Sequence, residues 1–194
     1  MTRHDPCPCH AASGPDSQPR RQVIRIATAG LAAGFGLGGG IALARPAAGD
    51  RLVSDDHDGK PVPLRPSDVK LGKPLLAFPY DASTKLVRDD SRLNKIVLMR
   101  FNESEMDAAT KARAAGDVIA LSAICTHQAC EVKTWLSKES ALVCFCHASK
   151  FMPLKGGEVT GGPATRSLPY LPLKLEGDEL VVAGPFSAAP GGST

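Results

Sequence analysis

The chain has 194 residues, of which 22% are charged and 43% hydrophobic, and its formal net charge is +3. That balance excludes a disordered chain. The weak charge, with no basic run and an aromatic share of 5%, argues against nucleic acid as a partner.

Residues 1–44 read as an address. Arg20-Arg21 precede Val23–Ala44, a 22-residue stretch that is mostly apolar but contains Arg25 and six glycines. A spanning helix needs about 20 strongly apolar residues, so this one is marginal. An arginine pair before a mild Gly/Ala-rich segment resembles a twin-arginine export signal. Ala42-Leu43-Ala44 is the small-x-small pattern that a signal peptidase accepts. Two outcomes stay open: cleavage after Ala44, or retention of residues 23–44 as a membrane anchor. Either places the remainder in the periplasm or on the periplasmic side of the inner membrane. Without residues 1–44, which hold four basic and two acidic side chains, the net charge falls to about +1. Cys7-Pro8-Cys9-His10 looks like half of a metal motif, but no second half lies nearby, and chance within a leader accounts for it.

Residues 45–66 are rich in proline, alanine and charge and read as a linker. A domain is expected over 67–186, and 187–194 as a flexible tail. With 19 glycines and 16 prolines, a loop-rich, mainly β domain is expected. Lys95–Phe101 (KIVLMRF) and Asp117–Ile124 (DVIALSAI) carry strand-length apolar and β-branched runs. Between them, Glu103–Ala115 is expected as a short surface helix or an excursion loop. Ala141-Leu142-Val143 is a further short strand. Leu171–Leu175 and Glu179–Val182 flank Glu176-Gly177-Asp178, which has hairpin turn chemistry. Trp135 is expected to pack, and His4 and His57 to lie in exposed loops.

The chemistry lies in two boxes, Cys125-Thr126-His127-Gln128-Ala129-Cys130 and Cys144-Phe145-Cys146-His147-Ala148-Ser149. Stripped to metal ligands they read C-x-H, 16 residues, C-x-x-H. Two thiolates and two imidazoles suit zinc, or a [2Fe–2S] centre in which histidines replace the cysteines of one iron. Disulfides without metal also remain open. Four thiolates around an oxidised [2Fe–2S] core give net −2, whereas two thiolates and two neutral imidazoles give zero. A neutral site accepts an electron more easily, so such centres reach about −150 to +300 mV against about −400 mV for plant-type ferredoxins.

CTHQAC with CFCHAS resembles the paired motif of the Rieske family, usually written CTHxGC and CPCHGS. The likeness spans roughly residues 95–184. It implies an antiparallel β-sandwich with an inserted cluster-binding subdomain, and one Rieske-type [2Fe–2S] cluster. It implies Cys125 and Cys144 as ligands of one iron, His127 and His147 as ligands of the other, and a Cys130–Cys146 disulfide tying the two loops. Gly161-Gly162-Pro163-Ala164 resembles the family's proline loop, so Gly162 and Pro163 are expected against the cluster, together with Ser149 and Phe151. Ser149 matches a serine that bonds a bridging sulfide. Phe151 stands where the highest-potential members carry tyrosine, and lacks its hydroxyl. Hydrogen bonds to sulfur stabilise the reduced cluster, so the resemblance implies a potential below members with both donors and above those with neither. Ala129 and Ala148 replace family glycines, at a cost if either position needs positive φ. Phe145 replaces a proline.

A Rieske domain fixes the cofactor, not the pathway. The twin-arginine-like start and the stretch Lys73–Asp81 are similar to the small subunit of an exported oxidoreductase such as arsenite oxidase, whose partner is a molybdenum-containing large subunit. The runner-up is the Rieske subunit of a quinol–cytochrome c oxidoreductase, with cytochrome b and c1-type partners. A free periplasmic shuttle is a third reading. A c-type cytochrome is a plausible acceptor in each. No nucleophile–base pair or nucleotide loop is evident, so an electron-transfer subunit is expected rather than an enzyme by itself.

Overall fold

The structure, a computed structural model, describes residues 45–192. The expected signal or anchor, residues 1–44, lies outside the described residues, as does the Cys7–His10 motif. Among the described residues, besides five short 3₁₀ turns, eleven strands and one α-helical turn follow in chain order. They are β1 (Arg51–Ser54), β2 (Leu75–Asp81), β3 (Leu86–Val87), β4 (Ile96–Arg100), α1 (Ala108–Lys111), β5 (Val118–Ser122), β6 (Thr134–Leu136), β7 (Ala141–Cys144), β8 (Ser149–Met152), β9 (Glu158–Gly161), β10 (Leu173–Glu176) and β11 (Glu179–Val182). The larger sheet has the order β10-β11-β1-β2-β4-β5, with β3 paired to β2; the smaller has the order β6-β7-β8-β9. No helix among the described residues is long and apolar enough to cross a membrane.

The β4–β5 ladder explains the layering. Ile96–Met99 shows no polar alternation, and all four residues are fully buried. Successive strand side chains point to opposite faces, and here each face meets a different core. Val97 and Met99, with Ile119 and Leu121 of β5, enter one apolar cluster. Ile96 and Leu98, with Val118 and Ala120, enter the other. The first cluster also contains Cys125, Cys144 and Phe151, so it underlies both cysteine boxes. Trp135 on β6 packs its ring edge-on to Phe101 at 5.2 Å, the packing role expected of it.

Residues 45–66 are more than a linker. They supply β1, which sits between β11 and β2 with Leu52 and Val53 fully buried. Asp50 beside it is 4% exposed and takes a bidentate pair from Arg88 at 2.8 and 3.1 Å. Only two apolar residues mark this strand, and its partner β11 follows much later in the chain, so local composition hides it. His57 is also less open than expected: its side chain is 16% exposed, with Nε2 3.5 Å from Asp89. Between β4 and β5 the excursion holds both expected forms, a loop and the single turn α1. Asp107 caps α1 by accepting the Thr110 N–H at 2.6 Å, and that backbone bond holds its carboxyl below the usual range. The β10–β11 hairpin turns at Gly177, whose φ of 64° suits a primed two-residue turn.

Leu98→Ala removes a fully buried side chain from the central ladder. It is expected to lower unfolding free energy by about 2–5 kcal/mol in urea titration, with little change in the m-value.

Candidate metal centre

The two boxes fold into the same kind of turn. In the first, Cys125 N–H donates to the Cys130 carbonyl at 2.8 Å and Ala129 N–H to the Cys125 carbonyl at 3.0 Å. In the second, Cys144 of β7 pairs with Ser149 of β8 across residues 145–148. Each turn therefore spans four residues and ends on an alanine in the left-handed region, Ala129 at φ 56° and Ala148 at φ 57°. These are the two positions where the family pattern has glycine.

The turns meet face to face. Cys130 and Cys146 form a disulfide, as the resemblance implies. Cys125 and Cys144 are free and buried, and both belong to the same apolar cluster. The rings of His127 and His147 lie 4.7 Å apart and perpendicular. Cys125 Sγ accepts the His127 N–H at 3.5 Å. Burial and the adjacent Cys125 push the Cys144 thiol up, while the backbone N–H groups of Cys146 and His147 pull it down. Cys130, Cys144 and Cys146 place three sulfurs within 4.8 Å of one another. Two of them are bonded together, so that triad is no ligand set.

The donor set fits a bound metal cluster. His127 Nδ1 is buried and has no hydrogen-bond partner. A buried unsatisfied nitrogen costs on the order of 1–3 kcal/mol, and a metal bond would offset this. The two free thiols are buried in one apolar cluster and the second imidazole packs on the first, so Cys125, His127, Cys144 and His147 could hold iron.

The surrounding residues fit as well. Ser149 is fully buried, and its Oγ accepts the Ala164 N–H at 3.2 Å, which leaves the hydroxyl proton free to donate elsewhere. The 161–164 loop lies on the second box: a Cβ on Gly162 would sit 2.5 Å from Ser149 Cα and 2.6 Å from the Ala148 carbonyl oxygen, and its φ is 79°. Pro163 beside it is exposed. Phe151 is fully buried beneath the cysteines.

One covering element is absent from the sequence reading. Residues 187–192, expected as a flexible tail, run across the first box. A Cβ on Gly192 would meet the His127 carbonyl oxygen at 2.5 Å, and one on Gly191 would lie 3.7 Å from Ala129 Cβ. Arg166 ties this strap down, donating to the Ala189 carbonyl at 3.0 Å and to the Gly191 carbonyl. The Arg166 carbonyl in turn accepts the Thr126 hydroxyl at 2.6 Å. Arg92 donates to the Ala129 carbonyl from the other side. The signal available in the sequence was the pair Gly191-Gly192, which reads equally well as tail composition.

The chain is similar to known iron–sulfur proteins. The family profile described as the Rieske [2Fe-2S] domain matches residues 64–172. The cytochrome bc1 complex Rieske iron-sulfur subunit of Corynebacterium diphtheriae is 29% identical over 145 residues, covering 63% of this chain and 36% of that protein. A putative respiratory nitrate reductase subunit Rieske of Haloferax mediterranei is 41% identical over 76 residues, covering 38% of this chain and 34% of its own length. This chain thus spans about a third of the length of both relatives. Among solved structures, the cyanobacterial plasma membrane Rieske protein PetC3 of Synechocystis PCC 6803 is 26% identical, with TM-score 0.34 over 45% of this chain and 75% of that one.

The two alanines make a test. A left-handed L-residue costs about 1–2 kcal/mol, partly offset by the extra unfolded freedom of glycine. Ala129→Gly and Ala148→Gly should each raise unfolding free energy by about 0.5–1 kcal/mol in urea titration. Replacing Cys130 and Cys146 together by alanine opens a loop with a sequence separation of 16. By the loop-entropy relation it should cost about 3 kcal/mol in the same assay.

Proposed function

The chain belongs to the Rieske [2Fe–2S] domain family, and we propose that it is the electron-transfer subunit of an exported oxidoreductase complex. In this reading Cys125 and Cys144 bind one iron, and His127 and His147 the other. The observation that carries it is the convergence of two free buried thiols and a perpendicular imidazole pair where two disulfide-linked turns meet. When bound, the [2Fe–2S] cluster supplies one-electron transfer.

The chain's own residues divide the work. His127 is half-buried and aims its unpartnered nitrogen inward, whereas His147 lies on the exposed second turn. Phe145, at the same tip, is 73% exposed. This end therefore offers a redox partner a short path through His147. Ser149, oriented by Ala164, holds a proton toward the site. The strap and the 161–164 loop exclude water from the flanks. Export is supported by the disulfide, which persists in oxidising compartments, and by the twin-arginine-like start.

The partner is proposed to be a molybdenum-containing large subunit. A second reading, the quinol-oxidising bc-type complex, is favoured by the names of several relatives; there His147 would also take a proton from quinol. Isolating the complex through this chain separates the two: a pterin cofactor supports the first, b-type haem the second. The central reading is tested on the purified, dithionite-reduced protein. A rhombic Rieske-type EPR signal with two irons per chain is expected; one zinc per chain with no signal would sink it.

Ser149→Ala removes a hydroxyl that is expected to bond sulfide more strongly in the reduced state. If that difference is about 1.4 kcal/mol, the midpoint potential should fall by roughly 60 mV in a potentiometric EPR titration.

A further inference from the structure

Cys144 lies beside the disulfide as well as in the ligand set. The sulfurs of Cys130, Cys144 and Cys146 are within 4.8 Å of one another; Cys130 and Cys146 are bonded, and Cys144 is a free thiol. Thiol–disulfide exchange needs a thiolate that can reach a disulfide sulfur, and no external oxidant; Cys144 is buried, which disfavours its thiolate and makes the step slow. The Cys144 sulfur is thus within 4.8 Å of both sulfurs of the bridge, and Cys144 closes β7 immediately before the turn that carries Cys146.

We propose that in the cluster-free chain Cys144 attacks Cys130 and exchanges into the loop-tying disulfide, and that iron on the Cys144 sulfur prevents this. The second half rests on Cys144 being a ligand, as proposed above. The step balances within the chain. A Cys144–Cys130 bond forms, the Cys130–Cys146 bond breaks, and the electron pair leaves on Cys146. Cys146 then takes up the proton that Cys144 gave up. Among Cys125, Cys130, Cys144 and Cys146, one disulfide and two thiols exist before and after.

Two observations choose Cys130 as the attacked sulfur. Attack there expels Cys146, an exposed residue whose departing thiolate is solvated. Attack on Cys146 would instead expel the half-buried Cys130 and bridge residues only two apart. The consequence is a marked empty state. The loops stay cross-linked, the site loses a ligand to the bridge, and an exposed thiol appears at residue 146. Such a chain cannot be reloaded until its disulfide is reduced.

The test maps disulfides in the full chain, loaded and cluster-free, held without oxygen and trapped by alkylation at intervals. Iron content and EPR are recorded on each sample, and circular dichroism confirms that the sheets persist. Cys125→Ser provides a second cluster-free form that retains Cys144 and the disulfide. The expected result is progressive replacement of Cys130–Cys146 by Cys130–Cys144 in both cluster-free forms, with Cys146 becoming alkylated. Loaded chain and Cys144→Ser should keep the original bridge. Persistence of Cys130–Cys146 in folded, cluster-free chain overturns the proposal. So does random pairing that also draws in Cys125, Cys7 or Cys9, the mark of exchange through an unfolded chain. A Rieske signal in the loaded sample together with either negative leaves the functional reading intact.

Discussion

The bond between Cys130 and Cys146 joins two turns that belong to different sheets. The first turn leaves β5 of the larger sheet; the second connects β7 and β8 of the smaller. A centre with two ligands from each turn needs both held at a fixed separation, and small independent shifts of the sheets would alter it. The disulfide, the Gly162 contact on Ser149 and the strap over His127 all act on that one distance. Their combined effect is preorganisation: the relative placement of the two turns is set by the protein's own contacts.

The ladder of β4 and β5 supports this arrangement from below. Because its two faces serve separate cores, a change on the Val97–Met99 face is transmitted toward Cys125 and Cys144, while a change on the Ile96–Leu98 face is felt in the β1 and β11 region. The buried Phe151 belongs to the first core. In this chain the residue at that position fills space and does not offer a hydroxyl. Ser149 next to the second turn does carry a hydroxyl, whose oxygen accepts the Ala164 N–H.

The parts legible in the sequence were those written locally. The proposed ligands, the disulfide partners and the 161–164 loop sit in two short boxes and a tetrapeptide, where the resemblance to a family motif carries the reading. Strands β4, β5 and β11 were visible because each is an apolar run with turn residues beside it. What escaped was nonlocal. β1 has two apolar residues among charges, and its meaning comes from Arg51 meeting Glu179, 128 residues away. The strap has no apolar pattern at all; it is held by carbonyl groups accepting from Arg166 and by the lack of side chains at Gly191 and Gly192. The cost of the two alanines was conditional in the sequence and became definite only with their backbone angles.

The strap also orders events in time. Synthesis proceeds from the N-terminus, so both turns, complete by residue 149, are made before β10, β11 and residues 187–192. Until those last residues arrive, β1 has no neighbour on one side and the carbonyl of His127 lies uncovered. Nonlocal pairings of this kind form late and slowly. Covering the first turn is therefore the last part of the fold that the chain can complete.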